Sequence, residues 1–298
     1  MGTPPLAAGP GLLARARLVI SLFKLRIGTL IMVTALVGLA VTPGASLAAW
    51  QVAVLALSVL LASASAGAFN QYAEHEADRL MGRTRGRAFA TGAIERHPRW
   101  LWVMALLLVG AVAAAAAALN AAAAAYVFLG AFFYGVVYTL WLKRRTPWNI
   151  VVGGLAGSFA VLAGAAAANP VPGAQAWLLA LVLFLWTPPH FWALAIANRP
   201  EYERAGVPML PVVVGDARAA RIVFASTVLL VAASLLPLFA CGAGGVYAAG
   251  AIGGGGWFLL KTWQLARRPS RATAMPAFFA SLIQLSALLV AATLDALL

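Results

Sequence analysis

Long apolar runs separated by short polar breaks dominate the hydrophobic pattern of this 298-residue chain. Each run is about 20 residues long, which is the length that an α-helix needs to cross a hydrocarbon core about 30 Å thick. The pattern predicts an all-α membrane protein with nine transmembrane helices, without the alternating segments of a barrel. The predicted spans are 18–41, 49–71, 98–118, 122–142, 149–168, 176–197, 219–239, 243–264 and 275–296.

The composition agrees with this pattern and excludes a soluble domain. Hydrophobic residues make up 63% of the chain, and the mean hydropathy is +0.91. The single cysteine, Cys241, excludes an intramolecular disulfide and a cysteine-based metal cluster. A net charge of +13 could indicate nucleic-acid binding, but in so apolar a chain the placement of the charges is the better guide, so we expect no nucleic acid.

The basic residues set the predicted orientation. With nine spans, all 21 Lys and Arg residues fall on one face of the membrane, which is cytoplasmic by the positive-inside rule. The N-terminus is then cytoplasmic, the C-terminus lies on the opposite side, and the site is expected at the cytoplasmic mouth. Residues 1–17 are interpreted as a cytoplasmic segment and 18–298 as one transmembrane domain.

Three of the 8 acidic residues are concentrated after the second predicted span, in the stretch FNQYAEHEADRLMGRTRGR (69–87). Asn70, Glu74 and Asp78 are spaced i, i+4, i+8, so they share one helical face if the helix continues through them. Carboxylate and amide oxygens suit Mg²⁺, which is often completed by substrate phosphates. The alternative is a solvated loop whose acids form weak surface ion pairs with the arginines.

A second acidic cluster follows the sixth predicted span, in the stretch NRPEYERAGVPMLPV, where Glu201 and Glu203 stand beside two arginines. Two such clusters on one face of the membrane indicate a binding site for a metal-bound polyphosphate. The apolar bundle below them indicates that the rest of the substrate is hydrophobic, as in a lipid diphosphate. Glu201 is a further candidate metal ligand. Candidate donors to the diphosphate are Arg83, Arg87, Lys143 and Arg144, although basic residues after a span also serve as a topology signal.

One histidine and several aromatic residues are candidates for the remaining chemistry. His190 lies inside a predicted span, after a Pro-Pro pair, and an intramembrane histidine is a functional candidate. The alternative is a packing role. Tyr134 and Tyr138 lie near the cytoplasmic mouth, where aromatic faces could stabilise a carbocation or serve only in packing.

Specific motifs in this chain resemble the UbiA superfamily of membrane prenyltransferases, and more closely its protoheme IX farnesyltransferase (heme O synthase) branch. The first motif matches at Asn70, Glu74, Glu76, Asp78, Met81, Arg83, Thr84 and Arg87. The likeness continues in FKLRIG (23–28), YTLWLKRRTPWNIVVGGLAG (138–157), LFLWTPPHFWALAI (183–196) and EYERAGVPMLPVVVG (201–215), and the last three are specific to the heme branch. The family usually has Asp where this chain has Glu74, Glu76 and Glu201.

The resemblance implies a UbiA-like bundle and a Mg²⁺-assisted reaction in heme biosynthesis. Farnesyl diphosphate ionises, a vinyl group of heme b attacks the farnesyl group, and water completes heme O while pyrophosphate leaves. It also implies a bacterial inner-membrane location, with delivery of the product to a heme A synthase or to heme-copper oxidase assembly. The residues leave open an aromatic (quinone-precursor) prenyltransferase and a non-enzymatic lipid-phosphate transporter.

Overall fold

The computed structural model describes residues 12–298, which form helices joined by short loops. In chain order these are α1 (Leu12–Leu22), α2 (Leu25–Ala40), α3 (Ala49–Ala73), α4 (His75–Arg79), α5 (Ala88–Thr91), α6 (Arg99–Ala118), α7 (Ala121–Phe132), α8 (Asn149–Gly153), α9 (Leu155–Ala168), α10 (Ala174–Ala197), α11 (Arg199–Arg204), α12 (Leu210–Val214), α13 (Asp216–Ala240), α14 (Gly245–Arg267) and α15 (Arg271–Leu297). Helix α7 continues as a π-helix over Phe133–Leu142.

Seven helical stretches within residues 12–298 are long and apolar enough to cross a membrane, so the fold is that of a multi-pass membrane protein. An eighth is added if α1 and α2, which meet at a 47° bend, form one span. The one predicted span not in this set is the eighth (243–264), which corresponds to α14, a 23-residue helix that four consecutive glycines make less apolar. The count of nine therefore stays a prediction. Residues 1–11 of the predicted N-terminal segment lie outside the described residues, and residues 12–17 begin α1.

Two glycines allow α2 and α9 to pack with their backbones in close approach. A Cβ atom placed on Gly164 would overlap the carbonyl oxygen of Ala35, and one placed on Gly38 would overlap the carbonyl oxygen of Val161. Such seams of small residues are a common way to pack helices in lipid, where apolar side chains gain little from leaving an equally apolar solvent. The seam holds α2 firmly against the centre of the bundle.

Both acidic loops end up at the same end of the bundle. The first follows α3 and the second follows α10, and one buried apolar cluster contains residues from each. Met81 of the first loop belongs to this cluster together with Tyr202 and Met209 of the second, over Trp192 of α10. This shared core places the polar residues of the two loops beside each other.

Candidate functional site

The first acidic motif forms a compact buried group at the C-terminal end of α3. The helix does not continue unbroken through Asp78, because α3 ends at Ala73 and Glu74 adopts a non-helical conformation before α4. The i to i+4 backbone bonds nevertheless continue, from Glu74 N to Asn70 O (3.0 Å) and from Asp78 N to Glu74 O (2.9 Å). Asn70, Glu74 and Asp78 therefore stay close together, and each is only 3% exposed.

Basic side chains neutralise both carboxylates of this group. Lys143 Nζ lies 2.5 Å from Glu74 Oε2, which also accepts a hydrogen bond of 2.7 Å from Asn70 Nδ2. Arg87 Nη1 lies 2.9 and 2.8 Å from the two carboxylate oxygens of Asp78. Charge-assisted hydrogen bonds of this kind are stronger than neutral ones, so the pairs hold the buried acids in fixed positions. The carboxylates of these pairs are buried and their cations are half-buried, unlike the solvated surface ion pairs of the alternative interpretation.

Lys24 completes the group and was missed as a site residue in the sequence. It lies at the joint between α1 and α2 in the left-handed conformation (φ 46°, ψ 41°), the one positive-φ residue other than glycine in residues 12–298. Its Nζ donates to Asn70 Oδ1 (2.7 Å) and to the hydroxyl of Tyr134 (3.4 Å). A lysine inside the predicted span 18–41 was the available signal, since ionisable residues within spans are often functional.

The π-helix supplies the opposite wall of the site. Its wider turn is seen in the bond from Lys143 N to Tyr138 O (2.9 Å), and π-helical segments often occur at functional sites. Thr139 accepts a hydrogen bond of 3.1 Å from Asn70, and Lys143 pairs with Glu74. The rings of Tyr134 and Tyr138 stack with centroids 5.8 Å apart. The sequence predicts a helix here but does not reveal its π-helical hydrogen bonding.

Glu201 brings the second loop to the first, which confirms that the two acidic clusters lie side by side. A Cβ atom placed on Gly82 would lie 2.9 Å from Oε1 of Glu201, so this carboxylate rests on the first loop. Its Oε2 atom is buried and has no hydrogen-bond partner among the described residues. A buried carboxylate oxygen without a partner is costly, and it marks a place where a cation would be stabilised.

Two of the predicted diphosphate donors form no hydrogen bond or ion pair through their side chains within the described part of the chain. The side chains of Arg83 and Arg144 are exposed, and neither makes a hydrogen bond or ion pair with any part of residues 12–298. Arg87 and Lys143, in contrast, are paired with Asp78 and Glu74. The four basic residues thus divide into two that are free to meet a ligand and two that hold the buried acids.

The oxygen donors fit a magnesium diphosphate better than a bare ion. Within residues 12–298 no group of three or more His, Cys, Asp or Glu residues converges in a way that could hold a metal by itself. The set instead combines the amide of Asn70 with the carboxylates of Glu74, Asp78 and Glu201. Such a partial set of oxygen ligands suits Mg²⁺, which keeps waters and takes phosphate oxygens to complete its coordination.

A cavity of about 550 Å³ opens beside Glu201, at the end of α10. Arg199, Arg204, Asp216 and Arg271 line it together with Glu201. Arg199 Nε donates to Glu203 at 2.7 Å, and this hydrogen bond raises the pKa of Arg199 above its ordinary value. The candidate site is therefore bordered on one side by a cavity lined with both basic and acidic side chains.

His190 lies in a buried aromatic stack of the other half of the bundle. Its ring is 4.1 Å from Trp186 and 4.6 Å from Phe278, measured between ring centroids. Its Nδ1 atom lies 2.7 Å from the hydroxyl of Ser281, and that hydroxyl donates its proton to Phe278 O at 2.6 Å. With the hydroxyl proton on Phe278 O, Ser281 can only accept from Nδ1, and in that tautomer Nε2 is unprotonated.

Residues 31–283 of the chain match the UbiA prenyltransferase family. The chain is 55% identical over 285 residues to protoheme IX farnesyltransferase 2 of Paramagnetospirillum magneticum, an alignment that covers 96% of this chain and 99% of the relative. It is 40% identical over 276 residues to the protoheme IX farnesyltransferase of Alkalilimnicola ehrlichii, which covers 93% of this chain and 91% of the relative.

Solved structures show the same fold at low sequence identity. A digeranylgeranylglyceryl phosphate synthase superposes with a TM-score of 0.79 at 18% identity, covering 95% of this chain and 98% of that one. A UbiA homolog from Archaeoglobus fulgidus bound to DMAPP and Mg²⁺ superposes with a TM-score of 0.64 at 15% identity, covering 90% and 99%. The family match and the full-length relatives together show that the chain belongs to the UbiA prenyltransferase family.

Proposed function

We propose that this enzyme transfers the farnesyl group of farnesyl diphosphate to a vinyl group of heme b, with addition of water, to give heme O and pyrophosphate. The observation that carries the proposal is the 55% identity, across nearly the whole of both chains, to a protoheme IX farnesyltransferase. The stretches typical of the heme branch also surround the candidate site: 138–157 includes the end of the π-helix, 183–196 lies in α10, and 201–215 holds Glu201.

The basic residues of the site are suited to the departure of pyrophosphate. When the C–O bond of farnesyl diphosphate breaks, the electron pair stays on the diphosphate oxygen, so negative charge grows there. Arg83, Arg87, Lys143 and Arg144 are proposed to donate to the diphosphate and stabilise this charge, an electrostatic effect that is strong in a water-poor cleft. Asn70, Glu74, Asp78 and Glu201 would hold Mg²⁺, which when bound adds positive charge against the same leaving group.

The apolar wall of the site is suited to the allylic cation that remains. Tyr134 and Tyr138 stack beside Lys24 and Lys143, and aromatic faces stabilise a cation without capturing it. The vinyl group supplies its π electrons to form the new C–C bond, and water adds to the resulting cation and loses a proton. A buried, aromatic wall keeps water from reaching the farnesyl cation first.

His190 is proposed to contact heme b through Nε2. Histidines that bind a metal usually donate their second ring N–H to an oxygen, and the contact between Nδ1 and Ser281 has this form. The site is proposed to face the cytoplasm of a bacterial inner membrane, because the predicted topology gathers all 21 basic residues on that side. Transfer of heme O to a heme A synthase or to heme-copper oxidase assembly completes the proposal.

The test uses purified protein in detergent with Mg²⁺, farnesyl diphosphate and either heme b or 4-hydroxybenzoate. We expect heme O, identified by mass, together with one pyrophosphate per product, and no reaction of the benzoate. Farnesylation of the benzoate alone would instead make the chain an aromatic prenyltransferase. Movement of a lipid phosphate across proteoliposomes without pyrophosphate release would make it a transporter.

A further inference from the structure

A different cation is paired with each of Asn70, Glu74 and Asp78, three buried oxygen-bearing residues of the first acidic motif. The three pairs are Lys24 Nζ with Asn70 Oδ1 (2.7 Å), Lys143 Nζ with Glu74 Oε2 (2.5 Å) and Arg87 Nη1 with both oxygens of Asp78 (2.9 and 2.8 Å). The pairing is therefore one to one. It engages Asn70 Oδ1, Glu74 Oε2 and both oxygens of Asp78, whereas Oε2 of Glu201, the fourth proposed ligand, has no partner among the described residues. Two of these cations, Arg87 and Lys143, are also the residues proposed to bind diphosphate.

Burial explains why the protein needs these cations. Glu74 and Asp78 are each 3% exposed, and a buried carboxylate without a partner is strongly disfavoured. A divalent cation that took the paired oxygens of Glu74 and Asp78 without a diphosphate would displace Lys143 and Arg87, and it would leave their charges without partners in the same site. A diphosphate entering alone would find both cations already paired. The binding free energy of either ligand alone is therefore small.

We infer that Lys24, Lys143 and Arg87 are exchangeable counter-ions, which leave the protein oxygens and move to phosphate oxygens when a divalent cation and a diphosphate bind together. This inference rests on the proposed function and adds Lys24 to the residues that bind the diphosphate. Joint binding replaces three ion or ion–dipole pairs by new pairs with the ligands, so no buried charge loses its partner. The two ligands therefore bind cooperatively, and the coupling is reciprocal.

The position of Lys24 allows its ammonium group to move from Asn70 to a phosphate oxygen. It lies at the 47° bend between α1 and α2, where the chain is not held in a helix, and its backbone adopts the left-handed conformation. The aliphatic part of its side chain runs over Gly67 of α3, where a Cβ atom would lie 3.4 Å from Lys24 Cδ. Glycine at this position gives the lysine a path along α3, so its ammonium group can shift while its stem stays packed.

The coupling is measured with Mn²⁺ and inorganic pyrophosphate as probes, on the purified full-length protein. Bound Mn²⁺ is followed by the loss of the free-ion EPR signal, after correction for the Mn²⁺–pyrophosphate complex in solution. We expect pyrophosphate to tighten Mn²⁺ binding to the wild type by about tenfold or more, within the usual range of coupling between sites. A wild-type coupling factor near one overturns the inference without any variant.

Variants separate exchange from a merely structural role. Lys143→Met and Lys24→Met remove a counter-ion, so Mn²⁺ alone should bind several-fold tighter than to the wild type while the coupling factor falls. Lys143→Arg should keep the coupling. Arg145→Met, an exposed residue of the same basic run, is the matched control and should change neither value. Weaker Mn²⁺ binding to the Met variants, with and without pyrophosphate, overturns the inference.

The same preparations are assayed for farnesylation of heme b, which keeps the two proposals apart. If the wild type farnesylates heme b but pyrophosphate does not tighten Mn²⁺ binding, the counter-ion exchange is rejected and the proposed function is unaffected. Coupling with no farnesylation of heme b supports the exchange and rejects the proposed acceptor. Monodisperse elution from size exclusion shows that each variant is folded before it is measured.

Discussion

Glu201 rests directly on Gly82, so that a Cβ atom on Gly82 would lie 2.9 Å from the Oε1 atom of this carboxylate. The two residues belong to different acidic loops, which are more than a hundred residues apart in the chain. The absence of a side chain at Gly82 lets Glu201 reach the first motif. The position of a candidate metal ligand is therefore set by a glycine that carries no chemistry itself.

Replacing Gly82 by alanine should displace Glu201 and lower farnesyl transfer. The new methyl group meets the far end of a flexible side chain, so we expect the loop to fold and the carboxylate to move. We expect kcat to fall about tenfold, because electrostatic groups act only from well-defined positions. Steady-state kinetics with farnesyl diphosphate and heme b measure the effect.

Gly86→Ala is the matched control for this substitution. It changes a glycine of the same loop, but a Cβ atom there would meet nothing within 4 Å. We expect wild-type kinetics and an unchanged melting temperature. Equal activity of the two alanine variants would show that the contact between Gly82 and Glu201 has no part in the reaction.

The charge of Glu74 should be essential, in contrast to that of its neighbour Glu76. Glu74 is buried and paired with Lys143, whereas the side chain of Glu76 is 76% exposed. We expect Glu74→Gln to lower kcat about a hundredfold or more, in the range typical of a lost electrostatic group at a reacting centre. Glu76→Gln should retain wild-type activity. Pyrophosphate release is the measurement for both.

Glu74→Asp tests the same residue more finely. The aspartate keeps the charge and has the shorter arm that is usual in the family, so we expect it to keep much more activity than Glu74→Gln. If the Gln variant remained as active as the Asp variant, Glu74 would not be a metal ligand. Activity retained in Asp78→Asn would remove Asp78 from the site in the same way.

His190→Ala should weaken the binding of heme b and change its absorption spectrum. The Nε2 atom of His190 is proposed to bind the iron in the tautomer in which Nδ1 donates to Ser281. We expect a weaker affinity in a spectral titration and a shifted Soret band, with added imidazole restoring the wild-type spectrum. The exposed His97 gives the control variant, His97→Ala, which should bind heme b normally. An unchanged Soret band in His190→Ala would leave this histidine a packing role only.

Local patterns were enough to predict the helical membrane fold and the first acidic motif. Apolar runs of about 20 residues mark the spans because the hydrocarbon core demands that length. The spacing of Asn70, Glu74 and Asp78 was sufficient to group them, even though α3 breaks at Glu74, because the backbone bonds continue across the break.

Lys24 and the π-helix could not be read from those patterns. Lys24 reaches Asn70 through a left-handed backbone at a bend, and such a conformation is unusual for lysine. The π-helix at Phe133–Leu142 differs from an α-helix in that each N–H bonds to the carbonyl five residues earlier instead of four. Hydrophobic periodicity does not distinguish these two patterns. Both features are fixed by tertiary packing against α3, which brings together residues distant in sequence.

The glycine seam between α2 and α9 predicts a large difference between two alanine substitutions in the same helix. A methyl group on Gly164 would overlap backbone atoms of α2, which cannot yield as a side chain can, whereas one on Gly157 meets nothing within 4 Å. We expect Gly164→Ala to cost roughly 1–3 kcal/mol, as overpacking does. Gly157→Ala should be neutral or slightly stabilising, since alanine favours helix over glycine. Apparent melting temperatures in one detergent compare them, and equal values would contradict the close approach of the two helices.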